Sequence, residues 1–328
     1  MAAARAGSLA SFMTAAPPHD PWRHRLAVLT LIATLALIFI GGLVTSTGSG
    51  LSVPDWPLSY GMLMPPMVGG VFFEHGHRMA ASAVGFLTLV LALWTARAEP
   101  RRGVRRLAWA ALAAVVAQGV LGGLTVIFLL PTAISVTHAC LAQTFFCLVI
   151  ALSYATSREW RSASPGVDSV GLRGAATLAT AVVFSQLFLG AVMRHTGAGL
   201  AIPDFPLALG RVVPPFADAA VMIHFAHRLG ALFVAATVAN LALRSWRSGD
   251  PRFARPAAVG LILTFVQIGL GAATVLTQKA VLPTTAHVAT GAAILGVSFF
   301  VALRAFRLTT ASELASSSSA LRERPATA

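Results

Sequence analysis

The chain has 328 residues, 56% of them hydrophobic and only 11% charged, with a formal net charge of +13 and a mean hydropathy of +0.77. A soluble domain carries about 25% charged residues, so the composition excludes a soluble globular protein and predicts an integral membrane protein. Two cysteines, Cys140 and Cys147, fall within one apolar run, which excludes a disulfide framework.

Residues 1–24 read as a polar, Ala/Ser-rich cytoplasmic segment without the apolar core and cleavage site of a secretory signal. A span needs roughly 20 apolar residues. Runs that qualify lie at about 25–45, 74–95, 105–129, 132–154, 172–193, 221–243, 255–276 and 283–305, and residues 306–328 read as a disordered, Ser/Ala-rich cytoplasmic tail. Most of the 24 basic residues lie before the first run, after the eighth, or between runs two and three, four and five, and six and seven. That bias places both termini in the cytoplasm. The setting is a bacterial cell inner membrane, with the mitochondrial inner membrane less favoured. The basic excess is then a topology signal that also attracts anionic membrane lipid, and no nucleic-acid footprint is present.

The two halves are copies. Gly48-Ser-Gly-Leu-Ser-Val-Pro-Asp-Trp-Pro-Leu58 matches Gly197-Ala-Gly-Leu-Ala-Ile-Pro-Asp-Phe-Pro-Leu207. Gln118 pairs with Gln267 and His138 with His287 at the same offset, and His77 with His227 one residue further. Four spans per half make both halves enter the membrane in the same sense. The expected fold is therefore an all-α polytopic membrane protein of eight transmembrane helices, arranged as two pseudo-twofold-related four-helix bundles, residues 25–155 and 172–305. In the loops after spans one and five, Pro54 to Pro57 and Pro203 to Pro206 force turns. Trp56 and Phe205 suit the interface, and Asp55 and Asp204 are read as caps of a short helix lying on the membrane.

His77, His138, His227 and His287 each fall in the first turn or two of an inward-running span, at similar depth near the outer leaflet. Ionisable residues in such a place are functional candidates. Two imidazoles at one level on different helices of an apolar bundle are what a bis-histidine haem requires. Haem is favoured over zinc or copper because each pair offers two nitrogens, no thiolate and a wide apolar surround. Arg78 and Arg228 follow a ligand histidine, where they pair with haem propionates or snorkel to lipid phosphate. In Gln118-x-x-Leu-Gly122 and Gln267-x-x-Leu-Gly271 the glycines let a neighbouring helix, or else a flat macrocycle, approach closely. His24, His75 and His195 are read as interfacial, with His75 the fallback ligand for His77. The halves differ at Glu74, three residues before His77, where the second half has His224. A carboxylate beside one site only points to proton exchange or charge stabilisation, against a satisfied interfacial acid or a partner for Arg78.

The run Thr47 to Leu58, the Glu-x-x-His-Arg of Glu74 to Arg78, the region Arg194 to Pro206, the paired Gln-x-x-Leu-Gly segments and the late His138 and His287 together resemble the haem A synthase family, over about residues 25–305. The resemblance implies haem b as cofactor in the second half between His227 and His287, beside Arg228. It implies the substrate haem O in the first half between His77 and His138, beside Arg78. Glu74 would then be the catalytic carboxylate of an oxidoreductase acting on a CH3 group, turning a ring methyl of haem O into the formyl group of haem A. Haem O synthase, cytochrome oxidase assembly factors and a haem-copper oxidase are the implied partners, and a homo-oligomer is left open. Many members carry an outer-loop cysteine pair where this chain has Val53 and Ser59, so a thiol redox step is not expected. The rival reading is a bis-histidine dihaem electron-transfer protein, cytochrome b-like, which has no need of a carboxylate in one half. A repeat-built transporter would break its helices near midplane.

Overall fold

A computed structural model describes residues 20–162 and 171–309. Most of the expected N-terminal segment and tail lies outside these residues. The described chain is helical, with eight helices long and apolar enough to cross a membrane. They are α1 (Pro21–Ser46), α2 (Gly70–Ala98), α3 (Arg102–Ile127), α4 (Thr132–Thr156), α5 (Leu172–His195), α6 (Ala219–Arg247), α7 (Pro251–Leu276) and α8 (Val281–Leu308). All eight expected runs are helices, and several extend a turn beyond the apolar stretch. Local chemistry sets those extensions. Asp20 accepts from the N–H groups of Trp22 and Arg23, both at 3.1 Å, and Pro21 fills the first helical position, where no N–H is needed. Asp250 and Pro251 repeat the device at α7, and Asp218 caps α6 through the Val221 N–H at 2.9 Å.

In the first half α1 packs on α2 and α4, and α3 on the same two helices, closing a ring of four. In the second half α5 packs on α6 and α8, and α7 on the same two. The halves meet where α8 lies on α1 and α4, and where α4 lies on α5. Lipid tails are as apolar as the helix faces, so close van der Waals packing must hold the helices together. The contacts are accordingly built on small residues: Ala27, Ala92, Ala108 and Ala155 in one cluster, and Ala175, Ala176, Ala179, Ala257 and Ala305 in another. At the seam, a Cβ on Gly296 of α8 would lie 2.8 Å from Phe146 of α4.

One end of the molecule is rich in arginine. There the Glu99 side chain, fully buried, accepts from Arg101 Nε at 2.7 Å and pairs with Arg23 and Arg161, each at 3.1 Å. Burial alone pushes the Glu99 carboxyl up, but the Arg101 hydrogen bonds and the Arg101 and Arg23 charges outweigh it and hold the group below the usual carboxylate range. Glu159 clasps Arg304 and takes a 3.2 Å hydrogen bond from the Tyr154 hydroxyl. Glu99→Ala would leave Arg23, 2% exposed, with only the longer 4.0 Å contact to Asp20. The expected cost is about 3–5 kcal/mol, seen as a lower thermal unfolding midpoint of the detergent-purified protein.

Candidate functional site

At the opposite end, α2, α4, α6 and α8 each carry a histidine about two turns inside the helix: His77, His138, His227 and His287. The neighbouring helix supplies a glycine against each ring: Gly41 of α1, Gly122 of α3, Gly190 of α5 and Gly271 of α7. A Cβ at these positions would come within 3.0, 3.3, 3.0 and 3.1 Å of the respective Cε1 atoms. Each imidazole therefore occupies the space a side chain would take. Gly122 and Gly271 end the Gln-x-x-Leu-Gly segments. Gly41 and Gly190 escaped sequence reasoning, although they too recur at the repeat offset.

The rings of His227 and His287 have centroids 6.4 Å apart at an interplanar angle of 62°. With a metal–nitrogen bond of about 2 Å on each side and roughly 1 Å from nitrogen to ring centre, a shared ion needs roughly 6 Å between centres. The pair fits. Among the described residues no group of three or more His, Cys, Asp or Glu converges, so the pair suits an ion whose other donors belong to a macrocycle.

The hydrogen bonds of the second nitrogen orient such ligands. His287 Nδ1 faces the Gln267 carbonyl at 3.2 Å, which puts the proton on Nδ1 and leaves Nε2 its lone pair. Gln186 Nε2 donates to the His227 carbonyl at 2.7 Å and lies 3.1 Å from His227 Nδ1. Gln186 was missed at the sequence level; its signal is an amide inside an apolar run. In the first half Gln118 Nε2 donates to the His138 carbonyl at 2.9 Å. Nδ1 of His77 and of His138 are buried without a hydrogen-bond partner among the described residues.

The loops after α1 and α5 cover this end. Asp55 and Asp204, expected to cap a short membrane-lying helix, instead close a tight turn. Asp55 accepts from Tyr60 N at 2.6 Å and Gly61 N at 2.8 Å, and Asp204 from Leu209 N and Gly210 N, both at 2.7 Å. The reason is local: φ of +54° and +70° at Tyr60 and Gly61 turns both amides back on the carboxylate. Arg78 Nη1 donates to the carbonyls of Asp55 at 2.8 Å and Leu58 at 2.9 Å. Arg228 donates to those of Leu207, Ile202 and Asp204 at 2.8, 3.0 and 2.7 Å. Both arginines thus hold loop to helix.

Glu74, 4% exposed, pairs with Arg78 at 2.7 Å and accepts from Val53 N at 2.9 Å. His224 does the matching work in the second half, with Nδ1 accepting from Ile202 N at 3.2 Å. His75, read as interfacial, is only 6% exposed and bonds through Nδ1 to Ser59 Oγ at 2.8 Å. The loop is thus fastened by hydrogen bonds at both Val53 and Ser59. Cys140 and Cys147 are free.

Against known proteins, the chain matches the family model described as cytochrome oxidase assembly protein, COX15-CtaA, over residues 24–69 and 67–299. It is 32% identical to the haem A synthase of Symbiobacterium thermophilum over 74% of this chain and 82% of that protein. It is 30% identical to that of Shouchella clausii over 79% and 88%, and 28% identical to that of Geobacillus kaustophilus over 90% and 96%.

Two outcomes follow from this geometry. Gly190→Val would drive its side chain into the His227 ring, so the purified variant should lose any visible absorption due to that ring's ligation while remaining folded by circular dichroism. The Gly61 N–H chiefly, then the Tyr60 N–H and the Arg78 charge, hold the exposed Asp55 carboxyl below its usual range. A depressed pKa stabilises the turn above the ordinary aspartate range, and that contribution is lost as pH falls through the depressed value. Hydrogen-exchange protection of residues 55–61 should hold down to about pH 4 and fall below it, and Asp55→Asn should abolish the transition.

Proposed function

Because the chain belongs to the COX15-CtaA family of cytochrome oxidase assembly proteins, we propose that it is a haem A synthase, converting haem O to haem A in the cell inner membrane. The observation that carries this reading is the duplicated histidine pair, each ring seated on a helix glycine, with the second pair at metal-sharing distance. In this reading His227 and His287 hold haem b, which supplies one-electron transfer when bound. His77 and His138 hold the substrate, haem O, whose ring methyl is oxidised in successive steps to a formyl group.

The residues of the first half then have distinct tasks. Gly41 and Gly122 fix the depth of the two rings. Arg78, its charge met by Glu74, ties the loop down over the first site, and Arg228, hydrogen-bonded only to carbonyls, ties the loop down over the second. Glu74 lies one turn from His77 toward the mouth. Both its oxygens already accept hydrogen bonds, one from Arg78 and one from Val53 N–H. That arrangement suits a fixed negative charge stabilising a developing cation better than a proton acceptor. Arginine at the far ends of the helices sets both termini in the cytoplasm and the histidines beneath the outer surface. Haem O synthase, oxidase assembly factors and a haem-copper oxidase are the partners this reaction calls for.

One observation favours the rival, a dihaem electron carrier: Glu74 and His224 do the same loop-holding work, so a carboxylate in one half is not by itself a sign of catalysis. Pigment extraction separates the two readings. Cells that supply haem O should gain haem A when they express this chain. Glu74→Ala should keep a low-spin Soret band and yield no haem A. Full haem A from that variant removes Glu74 from the reaction, and a two-haem wild type that forms none favours the electron carrier.

A further inference from the structure

The halves agree so closely at the histidine end that their differences in charge stand out. In the first half the mouth is neutral: Arg78 is paired with Glu74 at 2.7 Å. In the second half the position of Glu74 is His224, and Arg228 donates only to backbone carbonyls. Beyond the exposed loop residue Arg211, which stands where the first half has Met62, two more cations lie at that end. Arg194 occupies the repeat position of Thr45, and Lys279 that of Leu130.

Arg194 lies on α5 one turn beyond Gly190, the seat of His227. Its Nη2 donates to Gly42 O at 3.2 Å and Ser46 Oγ at 3.1 Å on α1, and it has no acidic partner among the described residues. Lys279 sits in the turn leading into α8, the helix of His287. Its stem crosses Gly199, where a Cβ would meet Cε at 3.4 Å, and its ammonium makes no ion pair among the described residues. A guanidinium held between packed helices without an acid is costly unless something anionic meets it, and a nearby ammonium adds to the same positive field.

We propose that Arg194 and Lys279 form an anion-binding end of the second-half site, which grips the two carboxylates of the tetrapyrrole held by His227 and His287. The second half therefore retains its group, while the first, with a neutral mouth, lets its tetrapyrrole exchange. This rests on the haem reading above. A lipid phosphate offers the same chemistry, so the test separates the two sources.

Purified wild type, R194Q, K279Q, the double variant and R194K are compared for haem transfer to excess apomyoglobin and for midpoint potential. Each neutralised cation should speed transfer roughly ten-fold, the worth of one charge-assisted hydrogen bond, and shift the potential negative, because a nearby cation favours the reduced iron. R194K should restore most of both. Thr45→Arg with Leu130→Lys should slow release from the first half. Unchanged transfer and potential in the double variant overturn the proposal. So does a double variant whose only defect is loss of thermal stabilisation by phosphatidylglycerol in phosphatidylcholine vesicles, which assigns the cations to lipid. A wild type that purifies without haem sinks the haem reading and this proposal together, whereas a haem-loaded wild type with indifferent variants fails the cation assignment alone.

Discussion

The contact on which the site depends is an imidazole edge against a helix backbone, at a distance where a Cβ would push the ring away by a few tenths of an ångström. Gly41, Gly122, Gly190 and Gly271 provide it four times. Overpacking by one methylene in a well-packed region costs about 1–3 kcal/mol, enough to move a ring out of register with its partner. The glycines thus set how deep each ring sits, and the Gln267 carbonyl facing His287 Nδ1 leaves Nε2 of that ring its lone pair. Iron ligation in such a bundle is a packing property first and a coordination property second.

The two ends of the helices handle charge in opposite ways. At the arginine end, acids are folded inward: Glu99 gathers Arg23, Arg101 and Arg161, and Glu159 gathers Arg304. The arginines gathered at this end thus lock the helix ends together. At the histidine end, Asp55 and Asp204 are turned onto the backbone, Glu74 takes both Arg78 and a backbone N–H, and Arg78 and Arg228 serve loop carbonyls. The loop of the first half is fastened to α2 by the Val53 N–H on Glu74 and the Ser59 hydroxyl on His75.

Much of this was legible in the sequence because hydropathy and duplication are long-range signals. Eight apolar runs became eight helices, and the repeated histidines stood out by offset. What was not legible depends on how each helix is turned about its axis. Gly41 looks like any small residue in an apolar run until α2 is placed beside it, and Gln186 has no first-half echo because Leu37 stands there. Asp55 was misread for another reason: an aspartate after a proline caps a helix or closes a turn with the same atoms, and the left-handed pair that follows decides the matter. His75 was placed at the interface by its position near the helix start, but the folded-back loop buries it.

The pair Gly41 and Gly42 belongs to both halves at once. Gly41 receives His77, and the next residue along α1 receives Thr285 and Val288, which flank His287 on α8. A single helix turn is thus a party wall. Cut the chain between α4 and α5, and the C-terminal fragment would present Thr285, Val288 and the Arg194 guanidinium to acyl chains with nothing to cover them. The duplicated halves are therefore not interchangeable modules: each completes a surface of the other.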